Sequence, residues 1–275
     1  MGKTCVAMAL GAVAMALTLA LTLGLYFGRI FTMNPDPQMN PFPLDMAPTS
    51  IDDQYVGCRA NISIQVNTDY LPREKKTSTN FNNAWKEAEA EAKPSIHGLQ
   101  KEHSIAIYVY TNEEPKIYPD FNREVRNGRS NYGTTFQYHS LHFYLTEAIQ
   151  ILKQRQTTCW TTYRRTDVYF DQDVVNKAIR FGTFTSSTLN KTIGRDSFGA
   201  TSCFEITTCF GADISHYSVF TGEREVLIPP YEVFTVSNIQ KKSPENNLWC
   251  EVVYTLVSTG NQSDLNCKLQ NGVKI

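Results

Sequence analysis

The 275-residue chain has no surplus of charge: 26 lysines and arginines stand against 27 aspartates and glutamates, a formal net charge of −1. No run interleaves basic with aromatic residues, so neither the global nor a local field suits a polyanion, which argues against nucleic acid as a partner. No G-x-G-x-x-G follows a strand-like run and no G-x-x-x-x-G-K-[ST] occurs, so a dinucleotide, if one binds, is not held in the Rossmann or P-loop manner. C-x-x-C is also missing, which makes zinc a poor fit to the cysteines. His139 and His142 stand at i and i+3 without the glutamate or third ligand of an H-E-x-x-H site, and read as packed or hydrogen-bonded histidines. The stretch Cys267–Ile275 is short and polar where a GPI signal needs an apolar tail of about 10 to 20 residues, so a GPI anchor is disfavoured.

What is present suits an exported globular domain. Apolar residues make up 41% and charged residues 19%, enough for one substantial core once the first 32 residues are set aside. Val6–Phe27 is an uncharged run of 22 residues behind a short basic start. That exceeds the roughly 7 to 15 residues of a signal-peptide core and reaches the ~20 needed to cross a bilayer. A signal-anchor is the first reading and a cleaved signal peptide the second, so the protein is expected in the secretory pathway, at the cell surface or secreted. Six cysteines beyond Cys5 form an even set suited to disulfides: Cys58, Cys159, Cys203, Cys209, Cys250 and Cys267. They permit about 15 connectivities. Asn61, Asn190 and Asn261 begin glycosylation sequons. Residues 33–45 are proline-punctuated and read as a stalk, residues 46–270 as the domain, and residues 271–275 as a polar tail.

Within the domain, Asn80–Ala92 is rich in helix formers and stops before Pro94. Between Phe136 and Lys153, Leu141, Leu145, Ala148 and Leu152 recur at helical spacing. After Arg155 come short runs rich in β-branched and aromatic residues: 157–163, 180–188, 202–209, 226–228, 231–240 and 248–257. Helices first and strands afterwards predict an α+β fold.

Chemistry enters with Gly222-Glu-Arg-Glu-Val-Leu-Ile-Pro-Pro-Tyr-Glu-Val233, which sets Glu223 and Glu225 two apart ahead of an apolar strand. In extended backbone such positions share a face. Two acids lining a cleft can divide the work of glycosyl transfer, one steadying a sugar cation and the other serving the nucleophile. Taken alone, the pair also reads as a strand end facing water. Ahead of it lie Tyr163-Arg164 and Arg180-Phe-Gly-Thr-Phe-Thr-Ser-Ser-Thr188. Tyr217 and Phe220 read either as a loop presenting an acceptor or offering a stacking surface, or as core packing.

The ordered arginine, serine and glutamate resemble the arginine-specific mono-ADP-ribosyltransferases of the vertebrate ecto-enzyme family. Further matches are Met46–Cys58, Leu141–Ala148, Arg180–Ser186, Thr208-Cys209 and Glu225–Pro230, so the likeness covers about residues 46–267. It implies an N-terminal helical part on a mixed or antiparallel β-sandwich core, and NAD as co-substrate with no metal. Nicotinamide already carries positive charge and leaves without protonation, so the site needs a fixed carboxylate at the ribosyl cation rather than a general acid. The resemblance gives that role to Glu225, and gives Glu223 the acceptor guanidinium, which stays protonated and needs a carboxylate to grip it and take a proton. Ser186 would orient Glu225 and the nicotinamide ribose. Arg164 would hold the pyrophosphate or ribose edge with its planar fork, and Tyr163 and Arg180 complete the NAD-binding set.

The acceptors implied are extracellular or lumenal proteins with exposed arginine, acted on by a monomer held to the membrane through its N-terminus. The resemblance also pairs Cys58 with Cys267 and Cys159 with Cys209, leaving Cys203 and Cys250. Tyr163-Arg164-Arg165 departs from the family's Tyr-Arg-Gly, which bears on cleft width. An NAD glycohydrolase and an inactive NAD-binding module stay open as alternatives.

Overall fold

Helices fill the first half of the described chain and strands the second. The structure, a computed structural model, describes residues 41–270; the expected membrane segment, most of the stalk and the polar tail lie outside the described residues. The first helical run joins α1 (Arg59–Gln65), a π-helical turn over Val66–Tyr70 and α2 (Leu71–Thr77). The widened turn directly precedes Pro72, which cannot donate an intrahelical bond. The alanine-rich stretch forms α3 (Thr79–Glu91), capped by Ser78, whose side chain accepts the Phe81 N–H at 3.2 Å. It buries Phe81, Ala84, Trp85 and Ala88, one apolar stripe.

Helices α4 (Lys101–Thr111), α5 (Tyr118–Asn127) and α6 (His139–Arg155) follow. In α6 the expected leucine stripe is buried, but so are 12 of the 17 residues, because the helix runs through the core.

The strands are β1 (Trp160–Thr166), β2 (Ala178–Ile179), β3 (Thr185–Thr188), β4 (Ser202–Thr208), β5 (Ala212–Asp213), β6 (Glu225–Ile228), β7 (Glu232–Lys241) and β8 (Val252–Asn261). Between β3 and β4 lies the single turn of α7 (Arg195–Phe198). The strands form one mixed sheet in the order β2-β7-β8-β4-β1-β3-β6-β5, with β4 and β8 parallel. This is the α+β arrangement expected. Strand alternation divides the core: Leu227 joins the helical cluster, while its neighbour Ile228 joins the cluster built from Phe204, Ile206, Phe234 and Tyr254.

Three local expectations change. Of the strand expected over 180–188 only Thr185–Thr188 forms, as β3, with β2 ending before Arg180; between them the chain turns at Gly182, whose φ is 66° and where a Cβ would stand 2.4 Å from the Ala47 Cβ. The last strand starts at Val252 rather than Leu248, because Cys250 is tied to Cys203 of β4. The stalk reading fails for its final residues: Phe42 donates to the Tyr169 carbonyl at 2.8 Å, and Leu44 is buried against the strand-side core.

Disulfides join Cys58 to Cys267, Cys159 to Cys209 and Cys203 to Cys250. The first spans 209 residues, worth about 5 kcal/mol in the chain-entropy account. Among the described residues no helix is long and apolar enough to cross a membrane.

Candidate active site

Sheet register, more than sequence spacing, assembles the site. Thr188 of β3 pairs with both Tyr163 of β1 and Glu225 of β6, so residues more than sixty apart in sequence share one row across three strands. This row borders a cavity of about 580 Å³ whose lining includes Tyr163, Arg164, Ser186, Glu223 and Glu225. Five of the six residues expected to act on NAD or the acceptor therefore meet in one place.

Glu225 opens β6 and is only 6% exposed. The Ser218 hydroxyl donates to its Oε2 at 3.0 Å. Burial pushes the carboxyl above its ordinary range, while hydrogen bonds from Ser186 and Ser218 pull it back; Glu223 adds a small upward push and Arg164 a downward one.

Glu223 reaches the same cavity by a different backbone route from the one expected. It ends a 3₁₀ turn, Thr221–Glu223, and Arg224 adopts the left-handed region at φ 49° before the strand begins. The shared face is thus made by a turn and not by strand alternation. Thr188 Oγ1 fixes the turn by donating to the Glu223 carbonyl at 2.6 Å. Burial, and then the charge of Glu113, raise the Glu223 carboxyl.

Arg164 donates to the Ser186 carbonyl at 2.7 Å, tying β1 to β3 at the cavity. Its bond is to a neutral oxygen, and burial lowers its pKa. A second cation, Arg126 of α5, lines the same cavity, and burial and the charge of Arg164 lower its pKa. Asn122, one turn before Arg126, also lines the cavity and donates to the Tyr110 hydroxyl at 3.1 Å. Tyr110 in turn donates to the Phe184 carbonyl at 2.9 Å, and burial pushes its phenol up to about 12. Sequence reasoning missed Tyr110, Asn122, Arg126 and Ser218. The spacing of α5 carried a usable signal, since Phe121 and Val125 are buried while Asn122 and Arg126, each one position later, share the adjacent face.

Arg165 stands where the family pattern has glycine, and its side chain turns onto the cavity wall. The guanidinium lies 4.5 Å from the Trp249 ring centroid and donates to the Lys191 carbonyl at 3.2 Å. Trp249 is itself anchored by the Cys203–Cys250 disulfide next to it and by its Nε1 bond to Glu205 at 3.1 Å.

Arg180 is corrected. Instead of facing the cavity with the expected NAD-binding set, it is 3% exposed and ion-paired with buried Asp52 at 2.5 Å. It also donates to the carbonyls of Met46 and Gln262, at 2.8 and 2.9 Å. Asp52 accepts the backbone N–H groups of Asp264 and Leu265, so this pair clasps the two ends of the domain. Its donors are already spent within the fold.

His139 and His142 are buried among aromatic rings. His142 Nδ1 lies 2.8 Å from the Tyr55 hydroxyl, and burial holds its pKa near about 3. His139 Nε2 meets the Tyr132 carbonyl at 2.7 Å. Tyr217 is packed, with its hydroxyl donating to Ile96 O at 2.8 Å, while Phe220 is 41% exposed and lines the cavity. The sequon residues Asn61 and Asn261 are exposed and Asn190 is half-buried.

Comparison with known proteins identifies the family. The family model described as NAD:arginine ADP-ribosyltransferase matches residues 44–253. Ecto-ADP-ribosyltransferase 5 of Bos taurus is 36% identical over 72% of the chain, and GPI-linked NAD(P)(+)–arginine ADP-ribosyltransferase 1 of Mus musculus is 37% identical over 72%. The chain spans 66% of the length of each of these relatives. The crystal structure of the eukaryotic mono-ADP-ribosyltransferase ART2.2 superposes with a TM-score of 0.69 at 30% identity, covering 82% of this chain and 99% of that one. A variant of ART2.2 has been solved in complex with NAD.

The expectation that disfavours a GPI anchor is overturned, because the mouse relative is itself GPI-linked and the bovine relative is named as an ecto-enzyme. With the matched region covering most of the domain and the same fold in a solved relative, this chain belongs to the NAD:arginine ADP-ribosyltransferase family.

Proposed function

We propose that the protein transfers ADP-ribose from NAD to the guanidinium of arginine in extracellular proteins, releasing nicotinamide as a glycosyltransferase. The observation that carries this reading is the buried Glu225, held by hydroxyls in a cavity that it shares with Arg164 and with a second carboxylate, Glu223. The cavity suits the co-substrate: about 580 Å³ lies within the range of small-molecule sites, and Arg164 and Arg126 bring two cations to a pyrophosphate. The relatives' names support NAD as donor and arginine as acceptor.

NAD supplies an ADP-ribosyl group whose nicotinamide departs with the bonding electron pair as a neutral molecule. The Glu225 carboxylate stabilises the positive charge that develops on the ribose, an electrostatic effect strengthened by its burial. Ser186, on the neighbouring strand β3 and favouring the ionised form of Glu225, orients it. Arg164 and Tyr163 fix the donor in the cavity. Glu223, half-buried at the end of its turn, grips the incoming guanidinium and accepts the proton released as the new carbon–nitrogen bond forms.

The test incubates the domain with NAD, with and without agmatine, comparing wild type with Glu223→Gln and Glu225→Gln. Expected is loss of transfer but residual nicotinamide release in Glu223→Gln, and a fall of both by about 10²–10³-fold in Glu225→Gln. Transfer surviving in Glu225→Gln would sink the assignment. Wild type that releases nicotinamide without ever labelling agmatine would make the protein an NAD glycohydrolase.

A further inference from the structure

We propose that Ser218 is a positioning residue for Glu225, fixing the orientation of the buried carboxylate and coupling it to the loop that carries Glu223. The inference rests on the transferase reading of the cavity and deepens it. Ser218 is 1% exposed, and its hydroxyl is used twice. It donates to Glu225 Oε2 at 3.0 Å and accepts the Phe220 N–H at 3.2 Å. Its own N–H is bound to the Ile214 carbonyl at 2.9 Å, which fastens the start of the loop. The next residue, Val219, donates to Thr111 Oγ1 at the end of α4 at 3.1 Å. One residue further, the Phe220 carbonyl accepts the Glu223 N–H at 3.0 Å. One hydroxyl therefore connects the carboxylate at the ribose with the turn that presents the other carboxylate to the acceptor.

The physical need for such a donor comes from burial. A carboxylate out of water loses hydration and is drawn toward its neutral form, in which it cannot steady a cation. The groups that face Glu225 are Arg164 from β1, Tyr110 from α4, Ser186 from β3, and Ser218 and Glu223 from the loop. Glu223 and any charge on Tyr110 oppose ionisation, while Arg164 and the two hydroxyls favour it. Ser186 sits on β3, an inner strand whose position the sheet sets. Ser218 sits on the acceptor loop, so it is the donor that reports loop geometry to the carboxylate. A hydrogen bond to the ionised form lowers the pKa, so its removal moves the acid limb of activity to higher pH.

The test compares wild type, Ser218→Ala, Ser218→Thr and Thr111→Ala. Nicotinamide release and transfer to agmatine are followed across pH, and the Glu225 carboxyl is titrated by difference infrared spectroscopy with Glu225→Gln as blank. In Ser218→Ala, kcat is expected to fall roughly 10-fold with KM for NAD changed by less than about threefold, the signature of an interaction made in the transition state. The acid limb and the infrared titration both move up by about one pH unit. Ser218→Thr, which keeps the hydroxyl, restores the titration. Thr111→Ala, which loosens the loop from the other side, leaves the Glu225 titration in place.

An unmoved Glu225 titration in Ser218→Ala overturns the proposal. So does a loss of kcat in which Ser218→Thr behaves as Ser218→Ala and the acid limb stays still, since that loss belongs to loop damage. If wild type releases no nicotinamide at all, the transferase reading fails, and the infrared titration still decides the role of Ser218.

Discussion

Arg164 and Arg180 lie sixteen positions apart in one β-rich segment, and the family resemblance assigns both to NAD, yet the fold gives them opposite conditions. Arg180 spends its donors inside the protein, on Asp52 and on the carbonyls of Met46 and Gln262. Arg164 makes its bond to a single neutral carbonyl and lines a cavity. Charge type is thus a poor guide to role, and what decides it is whether the guanidinium's donors are already satisfied. The Arg180 region fastens the start of the domain to its end, and the Arg164 region keeps a cation available to a ligand.

The largest expected effect comes from breaking the first of these regions. Arg180→Ala leaves Asp52 buried without its partner and should cost about 3–5 kcal/mol in denaturant unfolding. Unfolding unchanged within about 1 kcal/mol would show that the clasp is not structural. Next comes Arg164→Ala, which should leave stability nearly intact and weaken NAD binding by about 10- to 100-fold, read by calorimetry. Similar losses of stability in both variants would erase the contrast. The smallest effect belongs to Arg165→Gly, which restores the family's residue at this position. Because the Arg165 side chain lies against Trp249 instead of across the cavity, removing it should change kcat/KM by less than about fivefold and stability by about 1 kcal/mol. A tenfold gain in kcat/KM would instead mean that Arg165 narrows the cleft.

Several parts of this picture were legible in advance, for identifiable reasons. α3 and α6 carry strong helical periodicity, and the strands from 157 onward carry runs of β-branched and aromatic residues. α4 was not legible, because Ile105-Ala-Ile-Tyr-Val-Tyr110 has the alternation and composition of a strand. Burial on nearly every side removes the polar face that would have marked it as a helix. With α4 and α5 unseen, Tyr110, Asn122 and Arg126 could not be placed at the cavity. Ser218 was hidden for another reason: its partner is seven residues away across a loop, a distance at which no local period speaks.

The chain's order of residues by itself carried the α+β class, which depends on composition and periodicity, and the Glu-x-Glu motif of Glu223 and Glu225, which is continuous in sequence; Arg164, Ser186 and Glu225 became candidates as a set through the family resemblance. Tertiary structure alone decided that Arg180 is a clasp, that Glu223 reaches the cavity through a left-handed turn at Arg224, and that Ser218 holds Glu225. Each of these depends on which donors meet which acceptors in a low-dielectric interior, where a satisfied group is removed from chemistry and an available one is assigned to it.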